Sequence, residues 1–166
     1  MVDRADNLPA MDRNGYSDPY VLISIDRRKE TKQKTKVVKK CLSPVWNQVF
    51  KLKEEHFKSI NDIICFDVFD YDFGVDHDVL GFAHFPLYKS ILAPGQWHVT
   101  FGHVHDDAKT RSEIIVEINP SAELIAKYID EAKVAAEETK VNEFARTKGY
   151  WYLFIGGMYA SSHSIQ

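Results

Sequence analysis

Four aspartates and neither Lys nor Arg stand in the stretch Asp70-Tyr71-Asp72-Phe73-Gly74-Val75-Asp76-His77-Asp78. Carboxylates brought within a few Å of one another repel and lose solvation as they converge, so a loop of this composition calls for a cation. Oxygen donors alone favour a hard ion that accepts irregular geometry, and calcium, with six to eight oxygen ligands, meets that description. The helix-loop-helix calcium loop is the first pattern to test. Asp70, Asp72, Gly74, Asp76 and Asp78 fill its alternate positions, but Val75 stands where its turn glycine belongs and Gly81 where its bidentate Glu belongs. The remaining ligands must come from another loop.

A second acidic loop lies near the N-terminus, in Leu8-Pro9-Ala10-Met11-Asp12-Arg13-Asn14-Gly15-Tyr16-Ser17-Asp18-Pro19-Tyr20. Asp12 and Asp18 flank Asn14-Gly15, a pair suited to positive φ, so the loop can double back and bring both carboxylates to one point. Capping of turns is the alternative use of such aspartates. The elements that must carry the two loops are strands. Ile63-Ile64-Cys65-Phe66-Asp67-Val68-Phe69 leads into Asp70, Val79 to Pro86 leads away from Asp78, and Pro19 to Ile25 follows Asp18. Further strands are expected at Met1 to Leu8, Gln48 to Leu52, Trp97 to Phe101 and Glu113 to Ile118. The fold class is all-β, an antiparallel sandwich.

From Arg27 to Lys40 the chain holds eight basic residues against one acid, Glu30, and period two places Lys32, Lys34 and Lys36 on one face of a strand. Such a run serves either as a solvated edge protected from aggregation or as a patch for phosphorylated headgroups. Over the whole chain the balance is ordinary: 166 residues, 45% hydrophobic, 27% charged and a net charge of −3, which names no partner and gives no reason to expect nucleic acid. Cys41 and Cys65 lack metal spacing and suit a reducing compartment, no signal-peptide core opens the chain, and a cytoplasmic location is expected. His98, His103 and His105 with Asp106 make a weak transition-metal pattern. With no nucleophile elbow, phosphate-binding glycine loop or Cys/His pair, the chain is not expected to be an enzyme.

In this order and spacing, Asp12 to Tyr20 (DRNGYSDPY), Lys32 to Trp46 (KQKTKVVKKCLSPVW) and Asp70 to Gly81 (DYDFGVDHDVLG) resemble the C2 domain, a calcium-dependent phospholipid-binding β-sandwich, with a lysine strand most similar to that of conventional protein kinase C. The resemblance covers about residues 2–120. It implies that Asp12, Asp18, Asp70, Asp72 and Asp78 hold two or three calcium ions, with backbone oxygens near Met11 and Tyr71 assisting. It also implies that Asn14 meets phosphatidylserine, and that Tyr20, Lys32 and Lys34, with Lys36 beside them, meet phosphoinositide. Leu22 and Ser24 depart from the phosphoinositide pattern, where two more lysines are usual, and Asp76 stands where a basic or polar residue is common.

Charge counting gives the mechanism that follows. Five aspartates contribute −5; two calcium ions bring the sum to −1 and a third to +1, so binding removes a barrier to an anionic membrane. Phe73 and Val75, at the tip of the loop between Asp70 and Asp78, can then enter the headgroup region. Beyond the core at residues 1–120, a helix is expected from about 122 to 147, capped by Ser121, with Ile125, Tyr128, Ile129, Ala132 and Ala136 as its apolar stripe. Tyr150 to Ile155 then reads as a strand, the eighth of an eight-stranded sandwich in the strand order that places the extra strand at the C-terminus. Residues 121–149 thus form a helical insertion and 150–166 the last strand and tail. Two further readings stay open: a protein-interaction module using the sandwich and the helix, and the regulatory part of a lipid-signalling enzyme.

Overall fold

Alternating side chains decide the sheets. In the strand running from Ile63 to Asp70, Ile64, Phe66 and Val68 turn to one face and are buried, while Asp67 and Phe69 turn to the other and are half-buried. The structure, a computed structural model, describes residues 1–73, 77–101 and 112–147, the last four of these as backbone alone. Its strands are β1 (Val2–Asp6), β2 (Pro19–Ile25), β3 (Gln33–Lys34), β4 (Val45–Gln48), β5 (Ile63–Asp70), β6 (Val79–Pro86), β7 (Gly95–Thr100) and β8 (Glu113–Ile118). Two four-stranded sheets result, in the orders β4-β1-β8-β7 and β3-β2-β5-β6, with every recorded pairing antiparallel. Val2, Ala5, Ile114 and Val116 from the first sheet meet Val21, Ile23, Ile25, Phe66, Val68 and Leu80 from the second in one apolar core. Burial at roughly 25 cal/mol per Å² of apolar surface makes that seam the chief stabilising element.

Among the described residues there are eight strands, the last of them β8; the expected strand Tyr150 to Ile155 lies outside the described residues. The lysine run is less regular than its period suggested. Only Gln33 and Lys34 pair as a strand, because the buried Thr35 hydroxyl takes the hydrogen bond from the Val21 amide (2.9 Å) and the Lys36 amide turns to the Gln48 side chain (2.6 Å). The strand expected at Gln48 to Leu52 falls instead on Val45–Gln48. Asn47 takes a positive φ of 48° within it, and Trp46 is the residue of that strand that turns into the core. A short helix α1 (Leu87–Leu92), unforeseen in the sequence, buries Leu87 and Ile91.

The long helix α2 spans Ala122–Thr147, as its pattern predicted. Ser121 Oγ accepts a hydrogen bond from the Leu124 amide at 3.0 Å, so the cap is formed. Its buried line is Leu124, Tyr128, Ala132 and Ala135, with Ile125 and Ile129 packed at the margin, a face rotated slightly from the expected stripe. Small residues at Ala132 and Ala135 admit close approach. The Tyr128 hydroxyl donates to the Phe57 carbonyl at 3.3 Å, and those of Tyr88 and Thr139 meet at 3.4 Å, so α2 lies against α1 and the loop after β4. This is the end of the sandwich where β5 begins, opposite Asp70: Leu87 N donates to the Asp62 carbonyl at 2.9 Å.

Ala132→Leu, which forces bulk into a fully buried position, is expected to destabilise the chain by about 1–3 kcal/mol in urea denaturation. An unchanged midpoint would mean that α2 does not dock in solution.

Candidate functional site

The loop between β1 and β2 is folded by its own polar groups. Gly15, at φ +80°, occupies the left-handed region that its sequence anticipated, and its amide donates to the Asp12 carbonyl at 3.0 Å. The Asn14 side chain accepts from the Tyr16 amide at 2.9 Å, and the amides of Met11 and Asp12 donate to the Tyr16 carbonyl at 3.2 and 3.0 Å. Buried Ser17 ties the base, donating to the Pro9 carbonyl (2.9 Å) and accepting from the Met11 amide (3.0 Å). The loop returns where it began.

Asp18 then enters β2 beside the last residue of β5. In the β2–β5 register Pro19 faces Asp70, the Asp18 amide donates to Asp70 Oδ1 at 2.5 Å, and the Tyr71 amide donates to the Asp18 carbonyl at 3.0 Å. From the other side the Asp70 amide donates to the Asp78 carbonyl at 2.8 Å. The two acidic loops therefore meet at one end of the second sheet, on its two central strands. Asp70 is only 2% exposed. Burial is the main reason its carboxyl is held above the usual carboxylate range; the Asp18 amide opposes that, and the neighbouring charges of Asp12 and Asp72 add to it. A hydrogen bond from the Ser17 side chain also favours the charged form, and among the described residues no Lys or Arg acts on it.

Asp12, Asp18 and Asp72 are half-buried and Asp78 is exposed; Val75 and Asp76 lie outside the described residues. Among the described residues no three His, Cys, Asp or Glu side chains close to metal-ligating spacing as they stand. The donor chemistry nonetheless fits a hard cation: carboxylates from two loops, one of them buried, with like charge around it and, among the described residues, no Lys or Arg beside it as counter-charge.

The residues expected to face lipid divide. Asn14 is exposed, Phe73 is entirely so at 102%, and Lys32, Lys34 and Lys36 all reach solvent. Tyr20 is buried, stacked on Phe69 with ring centres 5.5 Å apart and covered by Lys34, whose Nζ stands 5.1 Å from the ring centre. The structure thus joins Tyr20 and Lys34 in one contact, a cation over an aromatic face. Three residues that hold the site carried no sequence signal. His77 packs between Tyr20 and Tyr71, at 5.6 and 5.1 Å. The Lys40 amide donates to Asp18 Oδ1 at 2.7 Å, and the Cys41 amide to the Ser17 carbonyl at 2.8 Å. A backbone donor leaves no trace in side-chain identity. Of the weak histidine pattern, His98 pairs with Glu113 at 3.2 Å, and the rest lies outside the described residues.

Known proteins share this arrangement of strands. The chain is 41% identical to tricalbin-1 of Saccharomyces cerevisiae over 89 residues, 54% of this chain and 7% of that protein. It is 40% identical to synaptotagmin 1 of Drosophila melanogaster over 55% of this chain and 20% of that protein, and 34% identical to human synaptotagmin-7 over 80% and 34%. The matches thus span between 7% and 34% of these relatives' length. Among solved structures, a single C2 domain of plant extended synaptotagmin 1 superimposes with a TM-score of 0.56 at 22% identity, covering 73% of this chain and 92% of that one. The calcium-bound pair of C2 domains of extended synaptotagmin 2 gives 0.53 at 22% identity, covering 69% and 41%. Human GIVD cytosolic phospholipase A2, an enzyme, gives 0.53 at 24% identity, covering 71% of this chain and 16% of that one. A family model described as the C2 domain matches residues 1–101, a span that holds both aspartate loops and the paired strands that bring them together, and the chain belongs to that family.

Proposed function

We propose that this chain is a calcium-triggered module for binding anionic phospholipid membranes, a binding protein and not a catalyst. The observation that carries the reading is Asp70: a carboxylate 2% exposed, with Asp12 and Asp72 acting on it and, among the described residues, no Lys or Arg offsetting the charge. Burying uncompensated negative charge is costly, and a divalent ion arriving from solvent removes the cost. Asp12, Asp18, Asp70, Asp72 and Asp78 would hold the calcium, and the ion would supply a positive field at the loop tips. Because five carboxylates offer at most about ten oxygens where two calcium ions need about twelve to sixteen, carbonyls near Met11 and Tyr71, water and lipid oxygens complete the set.

Membrane contact falls to this chain's own residues. Asn14 and Phe73 stand exposed on the two acidic loops, and Val75 belongs to the same tip in sequence. The exposed Lys32, Lys34 and Lys36, with Tyr20 behind them, form a second anionic contact that suits phosphatidylserine or phosphoinositide surfaces. The protein would therefore sit in the cytoplasm and move to the membrane as a peripheral protein; no helix among the described residues is long and apolar enough to cross one. Similarity to synaptotagmins and to the calcium-bound extended synaptotagmin 2 domains supports this reading. A second reading, a protein partner docking on α2, rests on Val134 and Val141, each 58% exposed and spaced to share a face.

Asp12→Asn or Asp70→Asn should abolish calcium-dependent sedimentation with phosphatidylserine vesicles while leaving the circular dichroism spectrum unchanged; unaltered sedimentation rejects the mechanism. Replacing Lys32 and Lys34 by Ala should weaken binding to phosphoinositide-rich vesicles about tenfold or more, in a manner that fades with added salt. An equal loss at every salt concentration assigns those lysines elsewhere.

The raised Asp70 carboxyl has its own signature. Its folded pKa lies above the unfolded one, so without calcium it penalises the folded state once pH exceeds the folded value, and the penalty disappears as pH falls. In chelator, Asp70→Asn should therefore melt above the wild type near neutral pH, with the gap closing towards about pH 4, the ordinary carboxylate range. A melting temperature below wild type at neutral pH contradicts the burial account.

A further inference from the structure

Within the second acidic loop one side chain that is not a carboxylate joins the two arms. His77 Nδ1 accepts a hydrogen bond from the Asp72 amide at 3.4 Å, so the returning arm of the loop holds the outgoing one. A ring nitrogen that accepts leaves the imidazole proton on the other nitrogen, Nε2. The ring is clamped on two sides. Tyr20 meets it edge-on, with ring centres 5.6 Å apart and planes at 87°, and Tyr71 lies against it at 5.1 Å and 40°. Tyr20 is itself fixed, buried in β2 and stacked on Phe69 of β5 with ring centres 5.5 Å apart. His77 therefore carries the position of the β2–β5 pair into the segment that bears Asp72 and Asp78.

We propose that His77 is a positioning residue for calcium, an inference that rests on the calcium reading above. Its Nδ1 holds the Asp72 main chain, and its ring, seated against Tyr20, sets where the chain enters Asp78, whose carbonyl accepts from the Asp70 amide at 2.8 Å. Like charges on Asp72 and Asp78 push the two arms apart when no cation stands between them. An acceptor nitrogen crosses the arms without bringing a fixed cation, as Lys or Arg would, so it opposes that spreading and leaves the negative field to the ion. Donors already in place lose less freedom on binding. What His77 contributes is therefore affinity for calcium, not stability of the fold.

The test is calorimetric titration of the full chain with calcium in the absence of lipid, set beside melting in chelator. His77→Phe keeps a ring against both tyrosines and removes the acceptor; calcium affinity should fall roughly tenfold or more, with stoichiometry and melting temperature unchanged. His77→Asn, whose side-chain oxygen occupies nearly the place of Nδ1, should recover most of that affinity although it lacks the ring. Equal affinities for the two variants, or losses of affinity matched in both by a lower melting temperature, overturn the role. Tyr71→Ala, at a side chain 37% exposed, should weaken calcium by itself and add nothing to His77→Phe; additive losses overturn the clamp. A wild-type chain that binds no calcium removes the calcium reading and this inference together. Binding by the wild type that His77→Phe matches removes this inference alone.

Discussion

The structure turns on the antiparallel pairing of β2 with β5. Its register runs unbroken from Pro19 opposite Asp70 to Ile25 opposite Ile64, and it is the central pair of the second sheet. A slip of one residue would turn every side chain of a strand to the other face. Here that would move Ile64, Phe66 and Val68 out of the core and carry Asp70 away from Asp18. The same seven pairs that fill the core therefore also set the position of the acidic loops. Core packing fixes the register, the register brings the loops together, and the loops set the charge.

What was legible in the sequence follows the same division. Strand alternation around Ile64, Phe66 and Val68, turn chemistry at Asn14-Gly15 and the capped start of α2 are local patterns, and each reached the structure nearly intact. Illegible were the features set by partners distant in sequence. The lysine run has an alternating pattern, yet a buried Thr35 hydroxyl replaces a main-chain bond and ends β3 after two residues. The fourth strand was misplaced because Val45 and Val49 are both exposed, so composition there does not report burial.

For the site, the acidic residues were visible as types and spacings, and the proximity of the two loops followed from the strand pairing. The stack of Tyr20 on Phe69 beneath Lys34 was half visible, since Tyr20 and Lys34 stood out and Phe69 did not. Phe69 reads as one more apolar strand residue until the register places it opposite Tyr20. Holding an aromatic pair under a lysine joins the basic face mechanically to β5, the strand that ends in Asp70.

The grip of the segment after β3 on the first acidic loop has a thermodynamic consequence. Amide groups of Lys40 and Cys41 hold Asp18 and Ser17 from outside, while Ser17 and Tyr16 stitch the loop from within. Little freedom is left there to lose. On the reading proposed above, a cation arriving beside Asp18 would therefore meet a lip that is already ordered, and holding that lip in place adds little to the entropic cost of association.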